Sequence, residues 1–299
     1  MTSTSVNSTT LHVTGQGARS PFWRSPLGRV LRIKLAVFGL VVIGVVAVGG
    51  LLAPVLAPYP PNATVTYVAE SPSWSHLLGT DSIGRDQLSR LLYGARVSLT
   101  VSVMSAVVGV VIGGAAGLAA ARLGGIVDSV IMRIADGMLS LPGLVLPLAM
   151  IAAIGGGVFT VALTLGISLS PSIARLMRGQ ALAQLERDYV LAAHSIGVPG
   201  ARIMLRHVAP NCVAPIIVAA SLGMSSAIGA EAALSFLGAG VTAPTATWGN
   251  MLSQGLEYIR LTPWMIVAPG VAVFLLILSL NFLGDALRDV LDPRLRGRT

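Results

Sequence analysis

Residues 97–121 read VSLTVSVMSAVVGVVIGGAAGLAAA, a run of 25 residues without a formal charge. At a rise of about 1.5 Å per residue, a helix of that length exceeds the roughly 30 Å hydrocarbon core of a bilayer. Gly109, Gly113 and Gly117 recur at every fourth position and fall on one helix face. Missing side chains there let a neighbouring backbone approach closely. The segment predicts a membrane helix packed inside a bundle.

Outward from this run, five further stretches qualify as spans: 35–57, 137–154, 158–174, 213–236 and 264–282. Among all six, Glu231 is the one charged residue. Gly155, Gly156 and Gly157 separate the third and fourth spans and read as a tight hairpin. Composition agrees. Of 299 residues, 54% are hydrophobic and 11% charged, and the mean hydropathy is +0.80. Soluble domains carry about 25% charged residues, which argues strongly against that class, and disorder needs low hydrophobicity, which excludes it. The expected fold is all-α: a polytopic membrane protein with six transmembrane helices.

The net charge of +8, with 19 of 20 cations arginine, raises the question of nucleic acid. The distribution answers it. With a cytoplasmic N-terminus, 16 cations fall on inner segments and 4 on outer ones. That is the positive-inside rule, and it places both termini in the cytoplasm beside the lipid bilayer. No nucleic-acid partner is expected.

The chain divides into a partly disordered cytoplasmic tail (1–30), a first span (31–57), an outer loop (58–96), a core (97–286) and a cytoplasmic tail (287–299). The first apolar run, 23 residues long, exceeds the roughly 7–15 of a signal peptide and is read as uncleaved. In the outer loop, Thr80 or Asp81 can cap a helix with an apolar stripe of Leu88, Leu91, Leu92 and Ala95. Asp86 and Arg90 would form an i,i+4 pair on this amphipathic helix.

The inner loop 175–211 is the most informative segment. Asp188 to Gly197, DYVLAAHSIG, reads as a short helix with an acid at its start and a glycine stop, closed by Pro199. A second helix begins near Ala201, carries Arg202, Arg206 and His207, and meets Pro210. Two short helices around a glycine turn make a rigid knob suited to docking, with Ala192 and Ala193 small enough for close approach. His194 and His207 lack a third ligand nearby, so no metal site is expected. The single cysteine, Cys212, excludes an internal disulfide. Asp136 reads as the acid at the inner start of the third span. Glu231 has two readings, a polar group in a translocation path or a structural hydrogen-bond partner.

Asp188, Ala192, Ala193, Gly197, Ile203 and Pro210 resemble the E-A-A…G…I…P signature of permeases in binding-protein-dependent ABC importers, with Asp in the Glu position. The stretch from His76 to Asp86, Ser89-Arg90, and Gly94 to Leu99 resemble the segment before the second span in dipeptide, oligopeptide and nickel permeases. The stretches from Glu231 to Gly238, Trp248 to Leu252 and Gly284 to Pro293 resemble that family's C-terminal half, in its shorter, C-type subunit. The resemblance implies a type I importer permease of the bacterial inner membrane, paired with a homologous second permease. It implies two cytoplasmic ATPase subunits docked on coupling helices, here Asp188–Gly197 with Tyr189 and the following helix. An extracytoplasmic binding protein would deliver peptides, or else nickel or another small solute. ATP and Mg would be bound by the ATPases and no cofactor by this chain. The residues agree on one point: the only lysine, Lys34, sits between Ile33 and Leu35, outside any P-loop pattern, so the chain is not expected to be an enzyme. A secondary transporter is the alternative, and one intramembrane acid with no evident half-to-half repeat speaks against it. A membrane-embedded enzyme is more remote, for want of paired acids or a nucleophile–base pair in the spans.

Overall fold

The computed structural model describes residues 26–291. Expectations for 1–25 and 292–299, including most of both tails, lie outside the described residues. The fold is helical. In chain order the helices are α1 (Pro26–Val30), α2 (Lys34–Leu51), α3 (Ala53–Leu56), α4 (Gln87–Leu123), α5 (Gly125–Leu139), α6 (Val145–Ile154), α7 (Val158–Leu185), α8 (Asp188–Ser195), α9 (Gly200–Phe236), α10 (Trp248–Leu256) and α11 (Trp264–Leu291). Five of them, α2, α4, α7, α9 and α11, are long and apolar enough to cross a membrane.

The α4–α7 pair is the centre of the bundle, and its glycines explain why. Gly109 packs on Leu169, Gly113 on Ile173 and Gly117 on Met177. Near the other end, Ser105 Oγ donates to the Ala162 carbonyl at 3.0 Å. The numbers rise together on both helices, so α4 and α7 run parallel. The chain between them must therefore cross back, and α5 and α6 carry that crossing.

Here the structure corrects the single third span expected over 137–154. The pass is made by α5, 15 residues, and α6, 10 residues, broken over 140–144. Neither reaches the roughly 30 Å of a bilayer core alone. Pro142 explains the break, since it supplies no N–H and disfavours helix in the residue before it. Asp136 is also relocated: it sits in the last turn of α5 rather than at a helix start, and pairs with Arg175 of α7.

The separate amphipathic helix of the outer loop is likewise corrected. Leu88, Leu91, Leu92 and Ala95 belong to the first turns of α4, which begins at Gln87 and continues unbroken to Leu123. The cap is Asp86, whose carboxylate accepts from the Ser89 N–H at 2.8 Å, not Thr80 or Asp81.

Packing is distributed along the bundle. At the α8 end, Val190, Ile203, Met204 and Val208 bury against Ile173, Met177 and Cys212. Midway, Val101 and Leu165 meet Ile151 of α6 and Leu234 of α9. A third cluster joins Trp248, Met251, Leu276 and Leu280 to Ile228. α2 lies at the periphery, with Leu35, Phe38, Val41, Val45 and Val48 exposed. An apolar exposed row on an outermost span fits a lipid-facing surface.

Candidate functional site

The knob at one end of the bundle begins where α7 stops and α8 turns away from it. Asp188, exposed, stands in the first turn of α8, where an acid favours the helix dipole. Gly197 adopts φ +77°, and the Val198 N–H donates to the Ala193 carbonyl at 3.1 Å while the Gly197 N–H donates to His194 at 3.0 Å. This pair of bonds is a Schellman closure, and it needs a residue at ease in the left-handed region. The open space around Gly197 shows that the requirement is conformational rather than steric.

α8 is pinned to the bundle on one side only. Val190 and Ala193 are buried against the start of α9. Ala192 is exposed, as are Leu191 and Ile196, the last two at 54% and 81%. The Ala192–Ala193 pair is thus divided: Ala193 faces the core, and Ala192 alone remains for close approach from outside. Leu191 and Ile196 are thus the large apolar side chains that the undocked side of α8 leaves uncovered.

Tyr189 holds the knob in place. Its hydroxyl donates to Gln184 Oε1 at 2.7 Å and accepts from Asn211 Nδ2 at 3.3 Å. Asn211 Nδ2 also donates to the His207 carbonyl at 2.6 Å. These bonds join the end of α7, the body of α8 and the start of α9. Arg202 and Arg206 are exposed, and His207 is half-buried. Met204–Val208 form a π-helical turn just before Pro210, whose missing N–H removes one helical bond there. Sequence reasoning found the glycine and the alanines. It missed Gln184 and Asn211, because a tyrosine clamp has no spacing signature.

Glu231 sits elsewhere. It is 0% exposed, accepting from Ser235 Oγ at 2.9 Å and from Ser98 Oγ at 3.3 Å. Ser235 Oγ in turn accepts from the Val241 N–H at 3.2 Å. Of the two readings of Glu231, these contacts are those of a hydrogen-bond partner: within this chain the carboxyl is covered and ties α4, α9 and the loop after α9 together.

A second polar cluster caps the opposite end of the bundle. Asp81 accepts from Arg85 Nε at 2.6 Å and lies 3.4 Å from Arg90 Nε, with all three side chains at most 5% exposed. Asp86 accepts from Ser89 and lies 3.0 Å from His76 Nδ1. Arg85 reaches across to Gln254 Oε1 at 3.1 Å. The expected Asp86–Arg90 pair is thus replaced by Asp81–Arg90, because Asp86 is occupied as the cap of α4.

Residues 94–297 match the model of the binding-protein-dependent transport system inner membrane component. Residues 21–72 match the N-terminal TM domain of oligopeptide transport permease C. The chain is 44% identical over 272 residues to the dipeptide transport system permease protein DppC of Escherichia coli K12, covering 89% of this chain and 91% of that protein. It is 40% identical over 286 residues to the di/tripeptide transport system permease protein DppC of Pseudomonas aeruginosa, covering 92% of each. Among solved structures, a chain of the inward-facing MetNI methionine ABC transporter aligns with a TM-score of 0.55 at 22% identity, over 67% of this chain and 96% of that one. That likeness concerns the fold.

Proposed function

The chain belongs to the family of binding-protein-dependent transport system inner membrane components, and we propose that it forms half of the pathway of an ATP-driven peptide importer. The relatives named for dipeptide and di/tripeptide transport support peptides as the cargo. The observation that carries the reading is the knob. α8 is rigidly held by Tyr189, Val190 and Ala193, yet presents Leu191 and Ile196 uncovered.

An ATPase subunit docks on that face and moves α8. The clamp from Tyr189 to Gln184 and Asn211 passes the movement to α7 and α9 together. Because α7 packs along α4 through the glycine row, a displacement at the knob reaches the length of the pathway. Gly197 keeps the turn closed, so force enters the bundle instead of fraying the helix. ATP and Mg are held by two ATPase partners, a homologous second permease completes the pathway, and a binding protein delivers cargo on the opposite side. The knob and both termini face the cytoplasm, as the distribution of arginine supports. The chain itself performs no catalysis.

The test is co-purification with the ATPase subunits. Leu191→Asp and Ile196→Asp alter exposed residues, so the bundle stays folded. The expected result is loss of the ATPases from the complex at unchanged thermal stability. Full retention of the ATPases by both variants overturns the assignment.

A further inference from the structure

Glu231 is covered within this chain and held by Ser98 and Ser235, so it presents no exposed wall. A different group of residues has the character such a wall needs. Arg175 of α7 pairs with Asp136 of α5, and their side chains remain 55% and 60% exposed. Arg133, one turn earlier on α5, is exposed and takes no ion pair among the described residues.

Depth follows from the packing. Gly117 of α4 lies against Met177 and the Arg178 backbone, which puts Arg175 level with the glycine row. Gly117 precedes Arg122, at the end of the uncharged run, by five residues, about 8 Å of helix. The pair therefore stands at the inner margin of the apolar zone, where the runs 137–154 and 158–174 meet the inner segments. Ionised groups at that margin turn toward water or a bundle interior rather than lipid.

The helix break supplies an independent observation. Residues 140–143 are all exposed. The carbonyls of Leu139, Ser140 and Leu141 accept no hydrogen bond among the described residues. The break follows Asp136 along the returning pass, so it lies deeper than the ion pair. Irregular backbone at membrane depth is tolerated only where protein covers it or water fills a cavity beside it. Two separate features, exposed charge and exposed unpaired backbone, lie on the same pass and share one requirement.

We propose that residues 133–143, with Arg175, line the aqueous route through which cargo crosses. The proposal rests on the importer reading and deepens it. The wall presents a carboxylate, guanidinium groups and free carbonyls. That set suits a hydrated solute bearing both an ammonium and a carboxylate, as a peptide does.

The test uses the full complex with single cysteines at Ser140→Cys and Gly143→Cys, and Val45→Cys on α2 as the lipid-facing control. The native Cys212 is buried and supplies the background. A membrane-impermeant thiol reagent should label the two break positions about tenfold faster than the control, because the reactive thiolate forms in water and not in hydrocarbon. Excess dipeptide should slow labelling at the break and leave the control unchanged. Labelling no faster than at Val45→Cys overturns the proposal, including the case where the second permease covers the break. Since labelling does not require turnover, this failure is distinct from absence of ATP-driven uptake by the unaltered complex, which counts against the importer reading instead.

Discussion

Adding one methyl group at Gly113 tests the α4–α7 packing through which, on the proposed function, movement passes from the knob to the pathway. A Cβ built there lies 2.8 Å from Ile173 Cβ and 3.0 Å from the Ala174 nitrogen, and closer still to the Ser170 carbonyl oxygen. Ordinary contact begins near 3.5 Å, so α4 and α7 must separate by about 1 Å or more. The opposing atoms are largely backbone and cannot rotate away. Overpacking of this kind costs about 1–3 kcal/mol. Gly114 provides the control on the same helix: its added Cβ meets only the flexible Met177 Cε, at 3.6 Å. Both changes bring the same gain in helix propensity, so their difference isolates the interface. The assay is thermal unfolding of the purified complex followed by ATP-driven uptake. Gly113→Ala should melt well below Gly114→Ala and lose uptake in proportion. Equal stability of the two variants refutes the close α4–α7 contact and the transmission argued from it.

Three further outcomes follow from the same geometry. Gly197→Ala forces a Cβ into a left-handed turn at a cost of about 1–2 kcal/mol; it should weaken ATPase binding without moving the bundle's melting point, whereas Gly197→Asn, better tolerated there, should retain most binding in a pull-down. Asp81→Asn removes the countercharge from buried Arg85 and Arg90 and should destabilise the cap by about 3–5 kcal/mol, read as a lower unfolding midpoint. Glu231→Gln keeps an acceptor oxygen for Ser235 and offers Ser98, whose hydroxyl can rotate to accept, an N–H donor instead; it should keep both stability and uptake, while Glu231→Ala should lose about 1–3 kcal/mol, and a Gln variant that folds normally but no longer transports contradicts the structural role of this carboxyl.

Much of the fold is legible in the sequence because membrane spans are long, apolar and uncharged. Residues 97–121 announce their helix by length, and the glycine row announces its packed face. The parallel pairing of α4 with α7 is not legible, since spacing on one helix does not name its partner. The broken third pass was hidden for a related reason. Hydropathy averages across Pro142 and cannot show that the chain leaves the helix there. In the knob, Gly197 is readable because a glycine two residues before a proline, at the end of a helical run, has a local conformational cause. The inward turn of Ala193 is not, because two adjacent alanines look alike until the docked face is known. Glu231 is conspicuous for its rarity, and both of its readings are open in the sequence; only three-dimensional contact shows Ser98 and Ser235 satisfying it. Asp136 and Arg175, far apart in sequence, come together as a pair only once α5 lies against α7.

The most direct measurement is dipeptide uptake into proteoliposomes reconstituted from this chain, its companion permease and the two ATPase subunits, with the binding protein outside. The account predicts accumulation that requires ATP in the compartment facing α8, persists when the proton gradient is dissipated, and vanishes with Leu191→Asp. Uptake that continues without the ATPases and collapses with the proton gradient contradicts it.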